Sequence, residues 1–326
     1  ANVASADVQS SAVADAGTVQ AQAAVLTDNQ ARLGLSLFTD TTLSEPNGTS
    51  CGACHSPNLG FGGNHGSRIG VALGSQPGAL GLRNSQTNAY VADIPALAFV
   101  TQGGETELRG GHFWDGRADT LAQQALGPFL NPLEMNNPSK QAVVNKVAAA
   151  RYAPLFRQVF GNGIFSNTES AYTAIGVAIA AFERTSAFSP FDSRYDRALR
   201  GELKLTDEEE LGRTLFFSNQ FTNCSQCHRL NAFPDAKGET FTNYTFHNIG
   251  TPENTALRAV NGMVGKPDLG LFQNTAVAKD ESLKGKFKVP TLRNVAVTGP
   301  YMHNGVFKDL RTVILFYNKY NSTSPK

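Results

Sequence analysis

The chain has 326 residues, with 28 basic and 27 acidic side chains and a net charge of +1. That length allows two domains, each able to bury a core. So even a charge balance offers nucleic acid no handle, and no basic run marks a membrane surface. The most apolar stretch, Ala174 to Phe182 (AIGVAIAAF), is far too short to span a bilayer and reads as a core helix.

Residues 1–25 are mostly Ala, Val, Ser and Gln, contain no aromatic residue, and read as a flexible N-terminal arm. Ala1 opens no charged-then-apolar leader pattern, so the sequence reads as a mature form. Leu26-Thr27-Asp28 then introduces Leu33-Gly34-Leu35-Ser36-Leu37-Phe38, followed by Cys51-Gly52-Ala53-Cys54-His55. The stretch from Ser56 to Asn84 is dense in glycine without a convincing period and reads as loop. Apolar spacing predicts helices over 118–127, 138–150, 169–184 and 308–320. Between the last two, Ser186 to Glu202 carries a proline and several turn formers, which places the interdomain crossing there.

The opening unit then recurs. Leu205-Thr206-Asp207 introduces Leu211-Gly212-Arg213-Thr214-Leu215-Phe216, followed by Cys224-Ser225-Gln226-Cys227-His228. In each copy Thr or Asp is placed to cap a helix whose apolar residues fall at helical spacing. One supersecondary unit used twice implies two related domains, at 26–190 and 191–326. Strand signals are sparse.

The two pentapeptides use all four cysteines of the chain. C-x-x-C-H is the pattern of c-type haem attachment. The thiols add across the porphyrin vinyl groups, and the adjacent histidine reaches the iron as proximal ligand. A redox dithiol, a disulfide or half a zinc site also begins C-x-x-C, but none requires the following His twice over. The expected protein is mostly α, with two cytochrome c-like domains, long loops and one c-type haem in each. Covalent haem attachment takes place outside the cytoplasm, so a periplasmic location is expected.

Two further stretches carry a family resemblance. One runs Phe113-Trp114-Asp115-Gly116-Arg117-Ala118-Asp119-Thr120-Leu121, through Gly127-Pro128, to Asn131-Pro132-Leu133-Glu134-Met135. The other is Phe287-Lys288-Val289-Pro290-Thr291-Leu292-Arg293-Asn294, followed by Gly299-Pro300-Tyr301-Met302-His303-Asn304-Gly305. Nearly everything after residue 26 resembles the bacterial dihaem cytochrome c peroxidases and the MauG group. The resemblance implies that His55 is proximal ligand of a peroxide-reacting haem and His228 of an electron-transfer haem. It places Trp114 between the haems, and Gln124, Pro128 and Glu134 over the distal face of the first iron. It makes Asn84, Thr298 and Pro300 donors to a calcium ion between the domains; oxygen donors of that kind suit a hard cation.

Two positions depart from the classical peroxidases toward the MauG group. Sixteen residues after the proximal histidine, the classical enzymes carry a second histidine that ligates the first haem at rest. Here that position is Val71, with His65 the only substitute nearby. The sixth ligand of the second haem lies fourteen residues beyond the His of the P-Y-x-H-x-G motif. It is Met in classical members and Tyr in the MauG group, and here the position is Tyr317, with Tyr320 and Met302 as rivals.

Each role has a plainer reading. Glu134 could cap a turn, Gln124 could be a surface amide, and Trp114 and Tyr317 could be ordinary core aromatics. Asp115, Arg117, His112 and His247 read as structural residues, and His303 as a neighbour of the iron ligands. With the resemblance added, the expected enzyme uses H2O2 to form a high-valent iron state. Glu134 makes both proton transfers, and an external substrate is oxidised, a protein side chain such as tryptophan. The alternatives are a classical peroxidase fed by a small cytochrome or cupredoxin, and an electron carrier or redox sensor without turnover.

Overall fold

The structure, a computed structural model, describes residues 28–102, 104–230 and 238–321; the side chains of 102, 320 and 321 lie outside the description. The N-terminal arm at 1–25 therefore lies outside the described residues, as does the side chain of Tyr320.

The first repeat unit forms helix α1 (Asn29–Thr39), capped by the Asp28 carboxylate, which accepts from the Gln30 N–H at 2.9 Å. Its Leu33, Leu37 and Phe38 are at most 2% exposed. Cys51–Cys54 makes the single turn α2, and α3 (Leu121–Leu130) follows a capping box of Thr120 and Gln123. The expectation of 118–127 falls three residues early at each end. Thr120 is extended as the cap, and Pro128 does not stop the helix, which closes when the Asn131 N–H bonds back to the Pro128 carbonyl. Helices α4 (Lys140–Ala149) and α5 (Ala153–Phe160) lead to α6 (Thr168–Glu183), the expected core helix. Along α6, Ala171, Ile175, Ala178, Ile179 and Phe182 are buried, and α1, α3 and α4 all pack on it. Small residues let the backbones close in: a Cβ on Gly34 of α1 would run into the Ala178 carbonyl oxygen. The largest apolar cluster is built wholly from this region, between Leu33 and Phe191.

The crossing at 186–202 is not all turn. Ser193 and Asp196 form a capping box that starts α7 (Arg194–Leu199). A serine followed three residues later by an acid was the available signal. Beyond it, α8 (Asp207–Phe216) begins at a Thr206–Glu209 capping box, as the repeat implied. Then come α9 (Thr255–Val260) and α10 (Leu310–Asn321), the latter matching the expected 308–320.

Sheet is confined to two small antiparallel pairs among the described residues. In the first, β1 (Ala98–Gln102) faces β2 (Glu105–Arg109) with Val100 opposite Glu107. In the second, β3 (Phe246–His247) faces β4 (Phe287–Lys288). The Arg109–Thr245 bridge and the Lys288 N–H to Trp114 carbonyl bond, at 2.8 Å, tie these pieces together. Among the described residues no helix is long and apolar enough to cross a membrane. The expected mostly helical fold with long loops is what the chain forms.

Candidate active site

The first C-x-x-C-H motif opens onto a cavity of about 420 Å³, within the range usual for cofactor and ligand sites. Cys51, Cys54, His55, Asn84, Trp114, Gln124, Pro128 and Glu134 all line it. Helix α3 presents Gln124 and Pro128 one turn apart, on the same face. The chain then doubles back: Glu134 N–H bonds to the Asn131 carbonyl at 3.0 Å and Met135 N–H to that of Pro128 at 3.1 Å. The Glu134 carbonyl is held in turn by the Ser75 N–H at 2.7 Å. That tight return brings Glu134 beside residues six to ten positions earlier in the chain.

Burial sets the protonation of the site. The Glu134 carboxyl is pushed up by burial, against the opposing pull of Arg117 and a hydrogen bond from Asn131. The Cys54 thiol is pushed up to about 12 by burial and by Glu134, and Cys51 is raised further by burial, Glu183 and Cys54. A reactive dithiol needs the opposite shift. His55 is lowered by burial, so its ring is neutral. Its Nδ1 lies 3.2 Å from the Phe61 carbonyl oxygen, which can only accept. The proton is therefore on Nδ1, and Nε2 keeps its lone pair for a metal. Gln124 Oε1 is buried, and the Gln124 amide interacts with the His112 ring.

The second motif repeats the histidine arrangement. His228 Nδ1 bonds to the Phe241 carbonyl oxygen at 2.8 Å, and burial lowers the ring to about 4. Tyr317 is 42% exposed. Its phenol is nonetheless raised to about 12, by burial first and then by Cys227 and Cys224 of the motif. Leu211, Leu215, Phe221, Ile314 and Leu315 are exposed large apolar side chains on α8, α10 and the approach to the motif. A solvent-facing apolar group of this size signals something that covers it.

Trp114 stands between the two regions. Its indole N–H donates to the Asn84 carbonyl at 2.8 Å, and its ring meets His303 edge-on at 6.5 Å. His303 stacks on Phe287 at 3.6 Å and lies at about 4 through burial. Asn84 and Pro300 come together: the Asn84 amide donates to the Pro300 carbonyl at 2.6 Å and to that of Met302 at 3.3 Å. Thr298, two residues earlier, packs beside Gly62. Among the described residues no group of three His, Cys, Asp or Glu could hold a metal ion, so any cation at Asn84 would rely on amide and carbonyl oxygens.

Val71 is fully buried in an apolar cluster with Leu80 and Leu257. His65 does not line the cavity, and its Nδ1 is engaged by the Leu73 carbonyl at 2.9 Å. His247 pairs with the Thr245 hydroxyl at 2.8 Å, and the buried His112 ring, lowered to about 4 by burial, interacts with the Gln124 amide.

Sequence reasoning missed part of the cavity wall. Arg83 grips Asp268 through two nitrogens at 2.6 and 2.7 Å and Asp115 through a third at 2.7 Å. Arg117 also reaches Asp115, at 2.8 Å, while its guanidinium lies over the Phe113 ring. Asp115 and Arg117 are thus structural, as read, but they also face the cavity. Glu183, at the end of α6, lines it as well; burial raises its carboxyl to about 8, and it accepts from the Asn88 amide at 2.6 Å. An acid ending a strongly apolar helix was its only signal; Arg83 in its glycine-rich loop had none.

A family model described as di-haem cytochrome c peroxidase matches residues 28–204. The chain belongs to that family. It is 45% identical to the methylamine utilization protein MauG of Paracoccus denitrificans over 315 residues, covering 95% of this chain and 79% of that one. It is 34% identical to the cytochrome c peroxidase of Escherichia coli, covering 84% of this chain and 49% of the relative. Among solved structures it is similar to the diheme peroxidase BthA from Burkholderia thailandensis. That match has a TM-score of 0.81 and 35% identity, and spans 88% of this chain and 71% of that one. The protein is a haem peroxidase-type oxidoreductase of the dihaem c type.

Proposed function

We propose that this dihaem peroxidase uses H2O2 to oxidise a side chain of another protein, as a MauG-like enzyme. The observation that carries the reading is the cavity itself, which gathers the attachment residues Cys51, Cys54 and His55 with Gln124, Pro128 and Glu134. One haem attaches at Cys51 and Cys54 with His55 as proximal ligand. The other attaches at Cys224 and Cys227 with His228, in domains spanning 26–190 and 191–326. Bound there, the haems supply an iron centre that accepts peroxide and stores its oxidising equivalents.

The chain's own residues do the rest. Glu134, its carboxyl pushed up by burial, acts as the proton shuttle: as the carboxylate it takes a proton from one peroxide oxygen and then returns it to the departing one. The Gln124 amide orients the peroxide, and Pro128 keeps that wall apolar. Trp114 carries electrons between the two sites. Tyr317 completes the second site: its phenol, at about 12, stays protonated near neutral pH unless a metal holds it ionised. Val71, packed away in its cluster, leaves the first site without the second histidine of classical peroxidases. Asn84, with the Thr298 and Pro300 carbonyls, holds calcium once its amide turns oxygen inward, and the enzyme works in the periplasm.

The 45% identity to a MauG protein favours this reading over a classical peroxidase. Two experiments test it. The oxidised holoenzyme is given H2O2 with either a tryptophan-bearing protein or a reduced small cytochrome. Oxidised protein product is expected; rapid oxidation of the cytochrome alone would restore the classical reading. In Tyr317→Phe, a shifted spectrum and a raised reduction potential of the second haem are expected. An unchanged pair would move the ligand to Met302 or Tyr320.

A further inference from the structure

We propose that Tyr195 is the surface redox site through which oxidising equivalents leave the second motif, toward an electron-rich phenol or indole of a partner protein. The proposal deepens the peroxidase reading and rests on it.

A short chain of contacts leads outward from His228. Its Nδ1 bonds to the Phe241 carbonyl at 2.8 Å, and the Phe241 ring meets the Tyr195 ring edge-on at 5.2 Å. Tyr195 is only partly buried, so the chain ends at solvent. Its position is fixed more firmly than a six-residue helix could manage alone. Ser193 and Asp196 cap α7. Arg194 pairs with Glu209 of α8 through two nitrogens at 2.7 and 3.0 Å. Asp196 is held by both terminal nitrogens of Arg293, at 2.5 and 2.7 Å. The same Arg293 lies over the Phe241 ring at 5.0 Å, so one side chain locks both members of the ring pair.

Other aromatic candidates are worse placed. The Tyr152, Tyr172 and Tyr301 hydroxyls donate to Asp40, the Leu126 carbonyl and the Val295 carbonyl. Tyr90 and Tyr244 are 3% and 2% exposed. Trp114, the sole tryptophan, lies inside the first cavity.

In each step Tyr195, partly open to solvent, gives one electron inward and its phenolic proton to water. The neutral phenoxyl then takes one electron and one proton from the partner's phenol or indole, restoring the tyrosine. Two such steps supply the two electrons that, with two protons, convert H2O2 to two waters.

The test treats the holoenzyme with H2O2 and a phenolic radical label, then maps the label by mass spectrometry while peroxide consumption is followed. Label is expected on Tyr195 in the wild type. It should be lost in Tyr195→Phe, which keeps the ring contact, with the haem absorption spectrum of the variant serving as folding control. Peroxide consumed by the wild type with label only elsewhere overturns the role of Tyr195 and leaves the peroxidase reading standing. Failure of the wild type to consume peroxide overturns both.

Discussion

The two copies of the repeat unit share a pattern and meet opposite surroundings. In α1, Leu33 and Leu37 are essentially inaccessible and Gly34 touches α6; in α8, Leu211 is 60% and Leu215 is 39% exposed, and nothing lies within 4 Å of a Cβ built on Gly212. The first unit is folded onto protein. The second leaves its apolar side chains open to solvent. Full burial of a leucine is worth roughly 1.5–3 kcal/mol, so α8 gains much less from its own apolar packing than α1 does. The same difference separates the motifs functionally: the first opens onto a protein-walled cavity with an acid, an amide and a tryptophan, and the second onto an apolar surface and a tyrosine.

The largest expected effect lies where the two regions are joined. Arg293 is 4% exposed, pairs with Asp196 of the crossing and lies over Tyr90 from the first region and Phe241 from the second. Arg293→Ala leaves Asp196 buried and unpaired and should cost about 3–5 kcal/mol in denaturant unfolding. Burial works against the Asp196 charge, but hydrogen bonds from Arg293 and Ser193 outweigh it and hold the carboxyl at about 2. The pair's contribution is therefore present above the unfolded value of about 3.9 and lost as pH falls through about 2. Little destabilisation in Arg293→Ala would mean that the regions are joined elsewhere.

The glycines sharpen the contrast between units. Gly34→Ala forces a methyl against the Ala178 carbonyl and should cost about 1–3 kcal/mol. Gly212→Ala meets nothing and should stabilise α8 by up to about 1 kcal/mol through helix propensity. Equal effects in parallel melting curves would erase the distinction. A pH-dependent effect is expected at Glu183. Its carboxyl, raised to about 8, stays protonated in the fold while the unfolded chain ionises near ~4.3. Stability should thus decline as pH rises through that window. Glu183→Gln can keep the Asn88 bond and should flatten the decline; an unchanged pH profile would show that Glu183 is not neutral there.

Much of this was legible in the chain because its informative residues are local. The C-x-x-C-H motifs, the capping residues Asp28 and Thr206, and the spacing of α6 each declare themselves within a few positions. The set Trp114, Gln124, Pro128 and Glu134 was legible only through resemblance, since one tight return after α3 assembles it. Arg83, Asp268 and Arg293 were not legible as partners: their contacts join residues 97 to 185 positions apart, and no local pattern encodes such a meeting. The hairpin of β1 and β2 was missed because its strands are short and exposed, without the apolar alternation that marks a buried face.

The claim at the centre of this account is that peroxide is cleaved in the first cavity with Glu134 moving the proton. Rapid mixing of oxidised holoenzyme with H2O2, wild type beside Glu134→Gln, tests it most directly. The wild type should react without prior reduction, and the variant, with haem spectra preserved, should react about 10²–10⁴-fold more slowly. A variant rate within a few-fold of wild type would contradict it.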